Sequence, residues 1–145
     1  MIYRITNKLA KKIKEKPVES LSTDPNPFLD WSADHFVAGG LHHIVLMHNP
    51  SIMSLYFLSK GVTNSETFLI RANDNIRGGL CMYGFDSVYH THIEPYFGNF
   101  RFPTFENRKL SGIMVDLVKH AKFLASYYDH LPFELTTKLN ETPQC

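Results

Sequence analysis

Read for apolar and polar positions, the chain changes period several times. "MIYRI" opens with Ile2 and Ile5 in a short strand-like pattern. In "TNKLAKKIKEK", Leu9, Ala10 and Ile13 share one helical face and the lysines take the other. A short helix is predicted there, capped by Thr6 or Asn7, whose side-chain oxygen can accept a bond from an orphan backbone N–H, and stopped by Pro17. Residues 17–31 contain three prolines and no clean period, so an ordered loop is expected, pinned to the core by Phe28, Leu29 and Trp31. "DHFVAGG", "LHHIVLMH" and "IMSLYFLSKG" read as strands of a meander that reverses at "AGGL" and "HNPSI". These runs alternate poorly, which predicts burial on both faces.

The period then becomes helical. Leu69, Ala72 and Ile76 have helix spacing, Thr63 with Glu66 makes a capping-box pattern, and Gly78-Gly79 marks an exit. "CMYGFDSVYHTHIEPYFGNFRFPTF" is aromatic and broken by glycine and proline, with a strand expected around "NFRF". The strongest signal comes next. From Arg108 onward, Leu110, Ile113, Met114, Leu117, Ala121, Leu124 and Tyr128 form one apolar stripe, the mark of a helix that buries one side. "LPFELTTKLNE" alternates as a final strand. The fold class expected is α+β: a mostly antiparallel sheet with two longer helices packed on it and a short N-terminal helix. With no internal repeat, residues 1–145 are read as a single globular domain.

Composition adds class and setting. Hydrophobic residues at 43% and charged residues at 20% are globular values that exclude disorder. Aromatic residues at 13% suit strands and cores. Residues 1–16 carry six basic side chains against Glu15, a net +5, so the rest of the chain is about −4 for the whole to total +1. A lysine run of this kind is the wet face of a helix or a steering surface for an acidic partner. Cys81 and Cys145 give no disulfide framework, which fits a reducing cytoplasm. The first sixteen residues lack the apolar run of a signal peptide, and no stretch approaches the ~20 apolar residues of a membrane span. A soluble cytoplasmic protein without membrane partners is the expectation.

Eight histidines invite a metal reading. His90 and His92 are the weak candidates, because "HTH" on a strand would aim both rings to one side. No HExxH, CxxC or carboxylate cluster accompanies them, so no metal and no cofactor is expected, and the histidines are read as surface or strand-end groups that hydrogen-bond locally. GxSxG and phosphate-loop signatures are absent. The compact polar set lies in "ENRKLSGIMVDLVKHAKF". Asp116 and His120, four apart, share a flank and could orient an imidazole as a base or form an ordinary helix pair. Asn107 is a natural cap, and Arg108 could fork a carboxylate or phosphate, or tie down the preceding loop. Gly112 inside a helix costs ~1 kcal/mol relative to Ala, so a close approach by another backbone is expected there.

The segments "MIYRITNKLAKKI", "NPFLDWSADHF", "IVLMHNPSIMSLYF", "NRKLSGIMVDLVKHAKF" and "FELTTKLNETP" resemble a bacterial domain-of-unknown-function family. Its pattern runs from Met-Ile-x-Arg-x-x-x-Lys-Leu through an Asp-Trp loop to an Asn/Asp-Arg-x-x-x-Gly-x-Met-x-Asp helix. Arg4, Lys8, Leu9, Asp30, Trp31, Asn49, Ser54, Asn107, Arg108, Gly112, Met114 and Asp116 are the matching positions. This chain departs at Lys109-Leu110 and through the histidine-rich 85–95 segment. The resemblance implies a bacterial or phage origin and an intracellular setting, and no activity.

Three functions are carried forward. The first is a non-enzymatic binding or regulatory module with an unknown protein or small-molecule partner, of a mobile-element or host-conflict kind. The second is a small enzyme acting on a phosphate-bearing substrate through Asp116, His120 and Arg108. The third is nucleic-acid binding through the lysine-rich helix, which the balance of charge elsewhere argues against. The sequence is silent on oligomeric state.

Overall fold

Strand β1 (Ile2–Ile5) lies parallel to β2 (Asp30–Ala38), with Tyr3 facing Trp31 across the pair. A parallel pair needs a crossover, and α1 (Asn7–Ile13) begins it. Strands β3 (Leu41–His48) and β4 (Ser54–Leu58) continue the sheet antiparallel, in the order β1-β2-β3-β4. The fold is therefore α+β with a mostly antiparallel sheet, as the periodicity predicts. This computed structural model describes residues 1–19, 24–98, 100–105 and 108–128, and side chains through residue 124. The final strand expected over residues 131–141 lies outside them.

Local chemistry sets the boundaries. Thr6 caps α1 by accepting from the Leu9 N–H at 3.3 Å and also donates to Asp34 Oδ1 at 2.6 Å, tying the helix start to β2. The helix ends before Pro17, because Lys14 adopts a left-handed φ of 56°. Between β2 and β3, Gly39 and Gly40 take φ of 59° and 77°, the two positive angles a tight hairpin turn demands.

The sheet is covered on both faces, which explains why its strands alternate poorly. On one face Tyr3, Ile5, Trp31, Ile44, Leu46, Leu55 and Phe57 meet Leu9 and Ile13 of α1 and Phe68, Ala72 and Ile76 of α2 (Ser65–Met82). On the other, Phe36, Val45, Met47 and Tyr56 meet Met114, Leu117, Val118 and Ala121 of α4 (Arg108–Tyr128). Leu117 is 1% exposed; burying a leucine so fully stabilises by about 2 kcal/mol.

Helix α2 differs from its sequence reading at both ends. Its cap is Asn64, paired with Thr67 in a reciprocal box, one residue later than Thr63 with Glu66. Val62 is buried and its N–H is bonded to the Ser59 carbonyl, so the chain is still turning there and the helix begins later. Gly78-Gly79 is no exit, since the helix continues to Met82. A Cβ at Gly79 would stand 2.5 Å from Leu55 Cδ2, so this glycine lets α2 approach β4.

Residues 86–96 are helical rather than extended: α3 (Asp86–Val88), a π-turn over Tyr89–Ile93 and a 3-10 turn over Glu94–Tyr96. The strand expected around "NFRF" reduces to isolated bridges from Arg101 and Thr104 to β1, because Pro103 between them has no N–H to give a ladder. No helix among the described residues is long and apolar enough to cross a membrane.

Candidate functional site

The β3–β4 connection and the helical turns after α2 line an open cavity of about 420 Å³. Its apolar lining comes from Phe28 and Trp31, from Met53 just before β4, and from Leu80, Phe85, Val88 and Ile93 of α2 and the turns behind it. His48 and Ser51 supply its polar groups. A largely apolar concavity with a few convergent polar atoms is the usual form of a ligand site. Trp31, 1% exposed, is held by its own Nε1–H, which donates to the Phe28 carbonyl at 2.9 Å.

His48 ends β3 with its ring against Phe28 (centroids 6.2 Å apart, planes 11° apart) and Trp31 (5.0 Å). Its Nε2 is 2.7 Å from the Pro27 carbonyl and its Nδ1 is 2.6 Å from Ser51 Oγ. A carbonyl only accepts, so Nε2 carries the hydrogen and bare Nδ1 accepts from the serine hydroxyl. Burial pushes the His48 pKa below the usual imidazole value, against the Pro27 carbonyl and the Asp30 charge that favour the charged form. The ring is therefore neutral near pH 7. The Met53 N–H also donates to Ser51 Oγ, at 3.2 Å.

A second polar cluster is buried at the start of β2. Arg4 grips Asp30 through Nε to Oδ1 at 3.1 Å and Nη2 to Oδ2 at 3.2 Å. Asn49 donates to Asp30 Oδ1 at 2.6 Å, Ser32 donates to Asn49 Oδ1 at 2.5 Å, and the Asp24 N–H donates to Asp30 Oδ2 at 3.1 Å. Burial alone would raise the Asp30 pKa. The bonds from Arg4, Asn49 and Asp24 and the Arg4 charge outweigh it, and the carboxyl lies below its usual range. This network holds the start of β2, and thus Trp31, to β1 and to the β3–β4 connection that carries Ser51.

The residues singled out from sequence lie elsewhere. Asn107 is outside the described residues. Arg108 and Asp116 are exposed and His120 is half-buried on α4, and none of the three lines the apolar cavity. Among the described residues no ion pair joins Asp116 to His120. Gly112 is exposed, and a Cβ there would meet no described atom within 4 Å, so the expected close approach is not found. His90 and His92 lie on the π-turn instead of a strand and part company. His90 Nδ1 is 2.7 Å from Glu94 Oε2, while His92 stacks on Phe28 with centroids 4.8 Å apart. Among the described residues no three His, Cys, Asp or Glu side chains converge as metal ligands. His42 Nδ1 is 3.3 Å from His35 Nε2; His43 is buried rather than on the surface, with Nε2 3.3 Å from the Ala38 carbonyl.

His48 and Ser51 escape a motif search because "HNPS" matches no catalytic pattern. Their pairing depends on the turn conformation between them, in which the Ile52 N–H bonds the His48 carbonyl at 2.7 Å.

Sheet and helices define an α+β protein, with an apolar cavity beside its β3–β4 connection. By sequence the chain belongs to the family described as Domain of unknown function (DUF6933), which it matches over residues 2–145. No curated protein and no solved structure matches it.

Proposed function

We propose that this protein is a binding module and that the cavity between Trp31 and the 85–93 turns holds an apolar ligand or the apolar part of one. The observation that carries the reading is the cavity itself: about 420 Å³, walled by Phe28, Trp31, Met53, Leu80, Phe85, Val88 and Ile93. Filling it would remove that apolar wall from water, at roughly 25 cal/mol per Å² of apolar area. The two polar side chains at its wall already satisfy each other, so the buried part of a ligand has no need to carry charge.

Trp31 is the only tryptophan, so its fluorescence reports on this wall alone. Titration with 1-octanol or toluene should change that emission saturably and raise the melting temperature with ligand concentration. Val88→Phe, which fills the cavity, should weaken the response at least tenfold. A linear, unsaturable response equal in both proteins would refute the reading.

A further inference from the structure

We propose that Ser51 and His48 form a nucleophile–base pair that removes the acyl group from an apolar ester held in the cavity. The proposal rests on the binding reading above, because the cavity must receive the acyl chain.

The pair has the arrangement that activates a serine. The Pro27 carbonyl, 2.7 Å from Nε2, fixes the tautomer and orients the ring, as a third group does in hydrolytic triads. The bare Nδ1 is 2.6 Å from Ser51 Oγ, within reach to take its proton. Burial keeps the ring neutral and therefore able to accept that proton. The serine oxygen gives its hydrogen to His48 and one lone pair to the Met53 N–H, which leaves a second lone pair for attack.

Position and strain agree with this role. Ser51 is exposed while His48 is 9% exposed, so a substrate reaches the nucleophile from solvent and the base stays shielded. The next residue, Ile52, has φ of 63°, a left-handed conformation that a β-branched side chain adopts only at a cost. Backbone strain of this kind concentrates where a reactive group must be presented. The serine also follows Pro50, whose fixed φ stiffens the turn.

The step balances without any co-reactant but water. Ser51 Oγ bonds to the ester carbonyl carbon as its proton passes to His48 Nδ1. The tetrahedral adduct collapses, the bond to the alcohol oxygen breaks, and that oxygen takes the proton from Nδ1. Water then attacks the acyl-serine, giving a proton to Nδ1; the acyl–Oγ bond breaks and Ser51 recovers its hydrogen. Ester and water become acid and alcohol.

The test uses p-nitrophenyl butyrate, with intact-mass measurement and peptide mapping beside the release of p-nitrophenolate. The expected result is an acyl adduct on Ser51, release abolished to background in Ser51→Ala, and release lowered at least 100-fold in His48→Gln. Far-UV circular dichroism and a cooperative urea transition check that Ser51→Ala is folded, since the change leaves His48 Nδ1 and the Met53 N–H without their serine partner; Ser51→Cys, which keeps a nucleophile at the same position, should still form an acyl adduct. Release unchanged in Ser51→Ala, or no adduct at Ser51 while Trp31 reports saturable octanol binding, overturns the proposal and leaves the binding reading standing. Absence of both adduct and octanol binding overturns the two together.

Discussion

Arg4 and Asp30 sit 26 residues apart in sequence and meet as a two-pronged ion pair, Nε to Oδ1 at 3.1 Å and Nη2 to Oδ2 at 3.2 Å, with both side chains under 10% exposed. Breaking a buried pair strands a charge. Arg4→Met should therefore cost about 3–5 kcal/mol in urea unfolding. Replacing both partners with apolar residues should recover part of the loss, since the stranded carboxylate goes with them. An Arg4→Met change that costs under ~1 kcal/mol would show that the pair is not holding the strand ends.

The helical glycines should respond in opposite ways, Gly79 against Gly78 and Gly112. Gly79→Ala drives a methyl to within 2.5 Å of Leu55 Cδ2, and Leu55 is itself buried at 2% exposure. The substitution should destabilise by about 1–3 kcal/mol. Gly78→Ala and Gly112→Ala meet no described atom within 4 Å and should each stabilise by up to ~1 kcal/mol through helix propensity. Thermal melts of the three variants check the contrast.

Tyr3 is fully buried among Phe68, Phe100 and Phe102, and its hydroxyl has no partner among the described residues. Burial, with a smaller effect from Tyr89, pushes its pKa well above the usual phenol value, so it stays neutral. Tyr3→Phe removes the unsatisfied group and should be neutral or stabilising by ~1 kcal/mol. A loss above ~1 kcal/mol in urea unfolding would indicate a hidden hydrogen bond.

Acid should weaken the fold in two stages. His35, His43 and His48 all lie below the usual 6.5, burial being the largest cause in each, with His35 at about 4 and pushed further by the Lys12, His42 and Lys8 charges. The unfolded chain binds protons at these positions that the folded chain refuses. Stability is therefore complete above pH 6.5 and falls as pH drops through 6.5 toward about 4. Asp30, below its usual 3.8, contributes above that value and is lost only as pH falls further. The urea midpoint should drop between pH 7.5 and 5.0, and His35→Gln should flatten the drop. A midpoint that rises on acidification would reverse the sign of the argument.

The long elements were legible because each carries its own period. The stripe of Met114, Leu117 and Ala121 marks α4, and the unbroken apolar run from Ile44 to Met47 marks a strand covered twice. The helical 86–96 region was not legible: Gly84, Pro95 and its aromatics resemble a broken strand, and what holds its turns is tertiary, with Tyr89 and Ile93 buried in the core and His92 stacked on Phe28. The site was hidden for a related reason. Arg4, Asp30 and Asn49 converge only through strand register, and His48 with Ser51 only through a turn whose left-handed Ile52 no propensity favours. The polar flank of α4 was visible in sequence because helical spacing is local, yet Arg108 and Asp116 face solvent.

The binding claim is tested most directly by heteronuclear NMR of methyl-labelled protein titrated with 1-octanol. Shift changes should concentrate at Met53, Leu80, Val88 and Ile93 and saturate together, with Val88→Phe suppressing them. Changes confined to Ile113, Val115 and Leu117 of α4, with those four residues unmoved, would contradict the placement of the site.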